Sequence, residues 1–153
     1  MFRRSPNYNW VIIMDIVSKK TRSRMMANIR SSNTRPEILV RKYLHQSGYR
    51  FRLNRKVEGV KPDLVLPKWN VCIFVHGCYW HRHADCQLAS MPKSNIEFWT
   101  KKFEQNVARD QRSVIQLEEA GWNVGIVWEC TTRTSVGLER IHELLNSPNR
   151  WEL

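Results

Sequence analysis

Between His76 and Cys86 the chain reads His-Gly-Cys-Tyr-Trp-His-Arg-His-Ala-Asp-Cys, which puts three histidines and two cysteines in eleven residues. Within this stretch Cys78-x4-His83-x2-Cys86 offers three soft donors on one loop, and Cys130, at the end of a later apolar run, can complete a tetrahedral Cys3His zinc set. Four protein ligands leave no open position for a substrate, so a site of this kind would be structural. Cys72 lies between Val71 and Ile73 and reads as a core thiol instead. Pro62-Asp63 stands at the entry to another apolar run, and a carboxylate there can anchor Mg2+ beside a scissile phosphate. Taken alone, Asp63 reads as well as a turn residue after proline. Its potential partners are His76 and His81, which remain free if zinc takes His83; a neutral imidazole near Asp63 can deprotonate an attacking water. Glu37 has two compatible readings, a supporting carboxylate and a helix-capping side chain.

These residues need elements to hold them. Thr34-Arg35-Pro36-Glu37 has the spacing of a capping box with proline in the first turn, and Leu39, Val40, Tyr43 and Leu44 then recur at helical intervals up to Gly48. Tyr49 to Leu53 alternates as a short strand does. The runs Leu64 to Leu66 and Val71 to Val75, joined by Pro67-Lys68-Trp69-Asn70, predict a β-hairpin. A loop is expected from His76 to Lys93. Ser94 or Asn95 would then cap a long helix with Ile96, Trp99, Phe103, Val107, Val114 and Leu117 on one face, ended by Gly121. Trp122 to Trp128 predicts a strand, and Val136 to about Asn146 a last helix before Pro148. The order implies an α/β fold in which a mixed sheet is flanked by helices.

At 153 residues and 42% apolar content the chain can bury a core of its own, and it has no internal repeat or low-complexity run, so one domain is expected from residue 21 to 153. Residues 1 to 20 lack a sustained period and read as a flexible arm. Lys19, Lys20, Arg22, Arg24 and Arg30 give a basic stretch that suits a phosphate backbone. A net charge of +11 disfavours a neutral metabolic enzyme and makes a polyanion the expected partner. The seven tryptophans fit either a core or stacking on bases. No run approaches the roughly 18 to 20 apolar residues that span a bilayer. The stretch Trp10 to Met14 is too short for a signal peptide, so a cytoplasmic protein with reduced cysteines is expected.

Several of these segments together resemble one family. Thr21-Arg22-Ser23, Pro62-Asp63, Phe74 through His81, Glu97-Phe98-Trp99, Asn106-Val107-x-Arg109-Asp110 and Gly121-Trp122 through Val127-Trp128-Glu129-Cys130 are similar to the very-short-patch repair DNA mismatch endonucleases. The similarity runs in order from about Asp15 to Arg133; residues 1 to 14 lie outside it, and Met14 is a candidate start. It implies a restriction-endonuclease-like fold and Mg2+-dependent nicking of DNA 5′ to the thymine of a T:G mismatch left by deamination of 5-methylcytosine. It also implies that Asp63 binds Mg2+ with the main-chain carbonyl of Val75, that His81 is the general base, and that Glu37 and His76 support them. Zinc would sit on Cys78, His83, Cys86 and Cys130. Met26, Tyr79 and Trp80 match residues that wedge into the duplex, and Lys102 and Asn106 would face the mismatched pair. The expected partner is mismatched double-stranded DNA bound by a monomer in the bacterial cytoplasm, near the nucleoid, with mismatch-repair proteins as further partners and no membrane.

The chain departs from the family at Val75, where threonine is common, and by one residue inserted between His83 and Cys86. Like the family, it has no Asp/Glu-x-Lys half of the usual nuclease motif after Val71, which favours a histidine base. Two other readings compete. One is a nuclease of this fold with a sequence-specific or homing-type task, and the other a non-catalytic, zinc-stabilised module that binds DNA.

Overall fold

The computed structural model describes Ser18, Lys20, Thr21, Ser23, Arg24 and residues 32–145 and 150–153. Most of the expected arm and of its basic residues lie outside these, as do Arg22, Met26 and the Pro148 stop. Residues 1–31 and 32–153 form separate compact units. In the first, Ser18 Oγ accepts a hydrogen bond from the Thr21 backbone N–H at 3.2 Å.

The second unit begins with helix α1 (Arg35–Gln46). Its predicted capping box forms: Thr34 Oγ1 accepts from Glu37 N at 3.4 Å, and the Glu37 carboxylate accepts from Thr34 N in return. Strands β1 (Leu64–Leu66) and β2 (Val71–His76) make the expected antiparallel hairpin, with Leu64 opposite Ile73. Pro67–Trp69 turns as a single 3-10 unit, and Asn70 closes it at φ 53, a left-handed conformation that asparagine tolerates. The hairpin leads through a short helix α2 (Cys78–His81) to the long α3 (Ile96–Glu119), which crosses back to β3 (Asn123–Trp128). Helix α4 (Ser135–Leu144) then leads to β4 (Trp151–Glu152).

Sheet order is β1-β2-β3-β4, with β1 antiparallel and the other pairs parallel, so the sheet is mixed as expected. One face packs on α1 and α4 through Val40, Leu44, Leu64, Ile73, Val127 and Ile141. The other packs on α3 and the 57–60 turn through Val57, Val60, Val65, Cys72, Val114, Leu117 and Val124. Cys72 is fully buried there, in keeping with its reading as a core thiol.

Four local expectations are corrected. Tyr49 to Leu53 is not a strand; only Arg52 bridges to Val65, because the chain leaves the sheet edge at once. The stretch from His76 to Lys93 is not all loop, since it holds α2 and a 3-10 turn at Gln87–Ala89. Asn95 precedes α3 in a left-handed conformation with no side-chain capping bond, and Ile96, expected inside, is 55% exposed because the first turn of α3 overhangs the core. Strand β4 was not anticipated; two residues carry no readable period.

Candidate functional site

Parallel pairing of β2 with β3 places His76 opposite Trp128. Cys78 and Cys130 each lie two residues beyond that pair, so register alone brings the two thiols to one end of the sheet. There Cys130 N donates to Cys78 Sγ at 3.4 Å. Arg82 and Asp85 both take positive φ (56° and 53°), and these two turns fold the loop so that His83 and Cys86 return to the same point. His83 Nδ1 lies 3.6 Å from Cys78 Sγ and 3.3 Å from Cys130 Sγ. One donor atom from each of Cys78, His83, Cys86 and Cys130 falls within 4.8 Å of the others, which fits a closed tetrahedral site for zinc despite the inserted residue. The Trp128 indole stacks on the His83 ring at 4.3 Å and 8°. Burial pushes the Cys78 thiol up to about 12, so this sulfur has no negative charge without a cation beside it.

A second cluster lies beside the first. His76 and His81 stack face to face at 4.0 Å and 5°, and His81 Nδ1 contacts Asp110 Oδ2 at 2.5 Å. Burial, then the neighbouring His81, pushes His76 down to about 3, so it is neutral at physiological pH. Burial pushes the Asp110 carboxyl up, but the hydrogen bond and charge of His81, with His76 and Arg109, outweigh it and leave Asp110 below its ordinary range. An ionised carboxylate only accepts, so the shared hydrogen sits on His81 Nδ1, and in the neutral form of the imidazole the lone pair is then on Nε2.

Asp63 enters β1 alongside β2, and its Oδ2 accepts from Val75 N at 2.7 Å. Burial pushes its carboxyl up to about 6 against the pull of the Val75 N–H; Glu37 adds to the rise, while Arg41 and His81 oppose it. A carboxylate whose ionised form is penalised in this way is relieved by a divalent cation, and Asp63 beside Val75 fits that duty. Glu37 is 5% exposed and performs its capping role while pairing with Arg41 at 2.6 Å. Its charge also reaches Asp63, so the two readings of Glu37 coexist in one side chain.

Tyr79 and Trp80 on α2 are half-buried in an aromatic group with Trp99 and Phe103, Tyr79 lying edge-on to Trp80 at 5.1 Å and to Phe103 at 5.2 Å. Lys102 is exposed. Asn106 is only 8% exposed, and its side-chain amide donates to the Trp80 carbonyl at 3.1 Å, which ties α2 to α3. Asp110 was not singled out as a site residue from sequence. The available signal was its position: Phe103, Asn106, Asp110, Val114 and Leu117 recur at helical spacing, and a carboxylate on the inward stripe of α3 requires a partner.

Comparison with known proteins points to one family. The family model described as DNA mismatch endonuclease Vsr matches residues 14–88. The type II nicking enzyme V.XorIIP of Xanthomonas oryzae pv. oryzae is 44% identical over 133 residues, 86% of this chain and 97% of its own. The type II nicking enzyme V.NmeAIP of Neisseria meningitidis is 41% identical over 86% of this chain and 94% of its own. The DNA mismatch endonuclease Vsr of Escherichia coli is 40% identical over 78% of this chain and 76% of its own. With relatives this similar along most of its length, the chain belongs to the Vsr family of DNA mismatch endonucleases and is a DNA-cleaving hydrolase.

Proposed function

We propose that the protein nicks one strand of DNA 5′ to the thymine of a T:G mismatch, in repair of deaminated 5-methylcytosine. The observation that carries this reading is the convergence of Asp63, His76, His81 and Asp110 at one end of the sheet in a Vsr-family chain. Asp63 and the Val75 carbonyl would hold Mg2+, which when bound neutralises charge developing on the scissile phosphate. His81 Nε2 takes the proton of the attacking water, and Asp110 keeps the ring in the tautomer that leaves Nε2 unprotonated. His76 packs flat on His81 and limits its tilt. Glu37 and Arg41 set the field around Asp63.

Cys78, His83, Cys86 and Cys130 would hold Zn2+ as a structural tie within a restriction-endonuclease-like fold. Tyr79 and Trp80, with Met26, supply apolar surface for insertion beside the mismatch; Lys102 lies exposed on α3 to face the mismatched pair, and Asn106, whose amide is held by the Trp80 carbonyl, sets α2 beside it. Residues 1–20, with Arg22, serve as a basic arm along the backbone. The protein acts as a monomer in the cytoplasm and passes its nick to repair proteins; among the described residues no helix is long and apolar enough to cross a membrane. Relatives named nicking enzymes favour single-strand over double-strand cleavage. Family membership sets the non-catalytic reading aside.

The test is Mg2+-dependent cleavage of end-labelled duplexes carrying T:G, with intact G:C as control, read on a denaturing gel. One cut 5′ to the thymine is expected. Equal cutting of the G:C duplex, or cutting of both strands, overturns the mismatch reading.

A further inference from the structure

The stretch that leads into Asp63 contains Arg50, Arg52, Arg55, Lys56 and Lys61 against one acid, Glu58. All five cations are exposed. Among the described residues the ion pairs are Glu37–Arg41, His81–Asp110, Arg109–Asp110 and Glu129–Arg133, so none of the five meets a carboxylate. Arg50 donates only to the carbonyl of its own neighbour Tyr49, at 3.1 Å.

The backbone beneath these charges is nonetheless pinned. Arg52 exchanges two hydrogen bonds with Val65, at 2.8 and 3.0 Å, and Val57 and Val60 exchange two more, at 2.8 and 2.9 Å. Val57 and Val60 are buried at 6% and 8% exposure under α3. Gln116 on α3 donates its side-chain amide to the Glu58 carbonyl at 2.6 Å. Left-handed turns at Asn54, Glu58 and Gly59 fold the segment, which has no helix or strand of its own. Irregular connections this long in a compact domain are uncommon and usually functional. Hydrophobic anchors with outward, unpaired cations make a rigid basic surface, and its last cation, Lys61, stands two residues from Asp63.

We propose that residues 50–61 form a preordered phosphate-binding surface that grips the DNA backbone next to the cleavage site and sets the depth at which Asp63 meets it. The proposal rests on the DNA-endonuclease reading and adds a surface to it. The partner is a duplex backbone, recognised by charge without regard to sequence, because exposed cations on a fixed scaffold that meet no carboxylate are free to neutralise phosphates, and such contacts position the duplex without reading its bases. These contacts would add to those of the arm.

The experiment compares full-length wild type, the double variant Arg55→Ala/Lys56→Ala, the charge-preserving Arg55→Lys/Lys56→Arg, and a control, Lys68→Ala/Arg140→Ala. The control removes the same charge from the far end of β1 and from α4. Equilibrium affinity for T:G and fully matched duplexes is measured across salt concentrations. In Arg55→Ala/Lys56→Ala the slope of log K against log salt should become shallower by about 2, roughly one unit per lost phosphate contact, by the same amount on both duplexes. The charge-preserving variant and the control should keep the wild-type slope. An unchanged slope in Arg55→Ala/Lys56→Ala overturns the proposal, as does an equal loss in the charge-preserving variant, which would trace the effect to loop folding, or in the control. Failure of the mismatch reading shows separately, as wild type binding and cutting T:G no better than matched DNA.

Discussion

Asp63 is where the proposed metal-binding role and stability pull apart. Its folded carboxyl titrates at about 6 against an ordinary 3.8, so the fold favours the protonated form. The favourable contribution is complete below 3.8 and is lost as pH rises through about 6, where the buried group must ionise. In metal-free buffer Asp63→Asn should therefore be more stable than wild type above pH 6, by on the order of 2–3 kcal/mol, and equal to it near pH 4. Mg2+ should raise the melting temperature of wild type and leave the variant unchanged, while nicking is abolished in the variant. Thermal melts at both pH values check this, and a variant less stable at pH 8 would show that burial of Asp63 is not what strains the site. His81 and His83 make a second contrast, because the left-handed Arg82 between them sends one ring to Asp110 and the other to the cysteines. His81→Ala and Asp110→Asn should keep full zinc and bind T:G DNA but nick at least about a hundredfold more slowly, the lower end of what acid–base catalysis contributes. Normal rates in His81→Ala would pass the role of base to His76.

At the level of elements, the parallel ladder β2-β3-β4 fixes the site, and its narrowest tolerance is Gly125. Gly125 pairs with Trp151, and a Cβ there would come under 3.0 Å from the ring atoms of a buried indole. Gly125→Ala should cost about 1–3 kcal/mol, as overpacking does, with a fall of roughly 2–4 °C in Tm for each kcal/mol. A melt within 1 °C of wild type would mean that β4 yields freely. This strand matters because Trp128, whose indole N–H donates to Glu152, also stacks on His83 and lies edge-on to His76 at 5.3 Å. The same elements divide by how far they could be read from sequence. Helix α1 and the hairpin announce themselves through local signals, a capping box and two apolar runs around a proline turn. The Cys/His quartet is legible because three of its members share one loop. Helix α2 and strand β4 are too short to carry a period, and their existence depends on tertiary contacts with α3 and β3. The Asp110–His81 contact joins residues 29 apart, so it emerges only when α3 is laid on the sheet.

Across the whole molecule, zinc would join the ends of β2 and β3, two strands separated in sequence by all of α3. Cys78 opens α2, and His81 closes it; the Cys78 and Cys130 thiols meet at the ladder's end while His81 reaches α3 through Asp110. A tie at that point restrains helix α2, which carries His81, the proposed base, and the aromatic pair Tyr79 and Trp80. Loss of zinc should therefore lower the melting temperature and, in the same titration, slow nicking, although Asp63 and His81 are chemically untouched. The expectation is for one zinc per chain by elemental analysis, loss of metal and of thermal stability on treatment with a strong chelator, and recovery of both with Zn2+ after the chelator is removed. Mg2+ alone, restored in excess, should not recover them. Cys130→Ala and His83→Ala should each come out of purification with reduced zinc. Full zinc in His83→Ala would remove that imidazole from the ligand set and leave Cys78, Cys86 and Cys130 in need of a different fourth donor. A chelated protein that keeps both its melting temperature and its rate would show that the sheet holds the active-site loop without the metal.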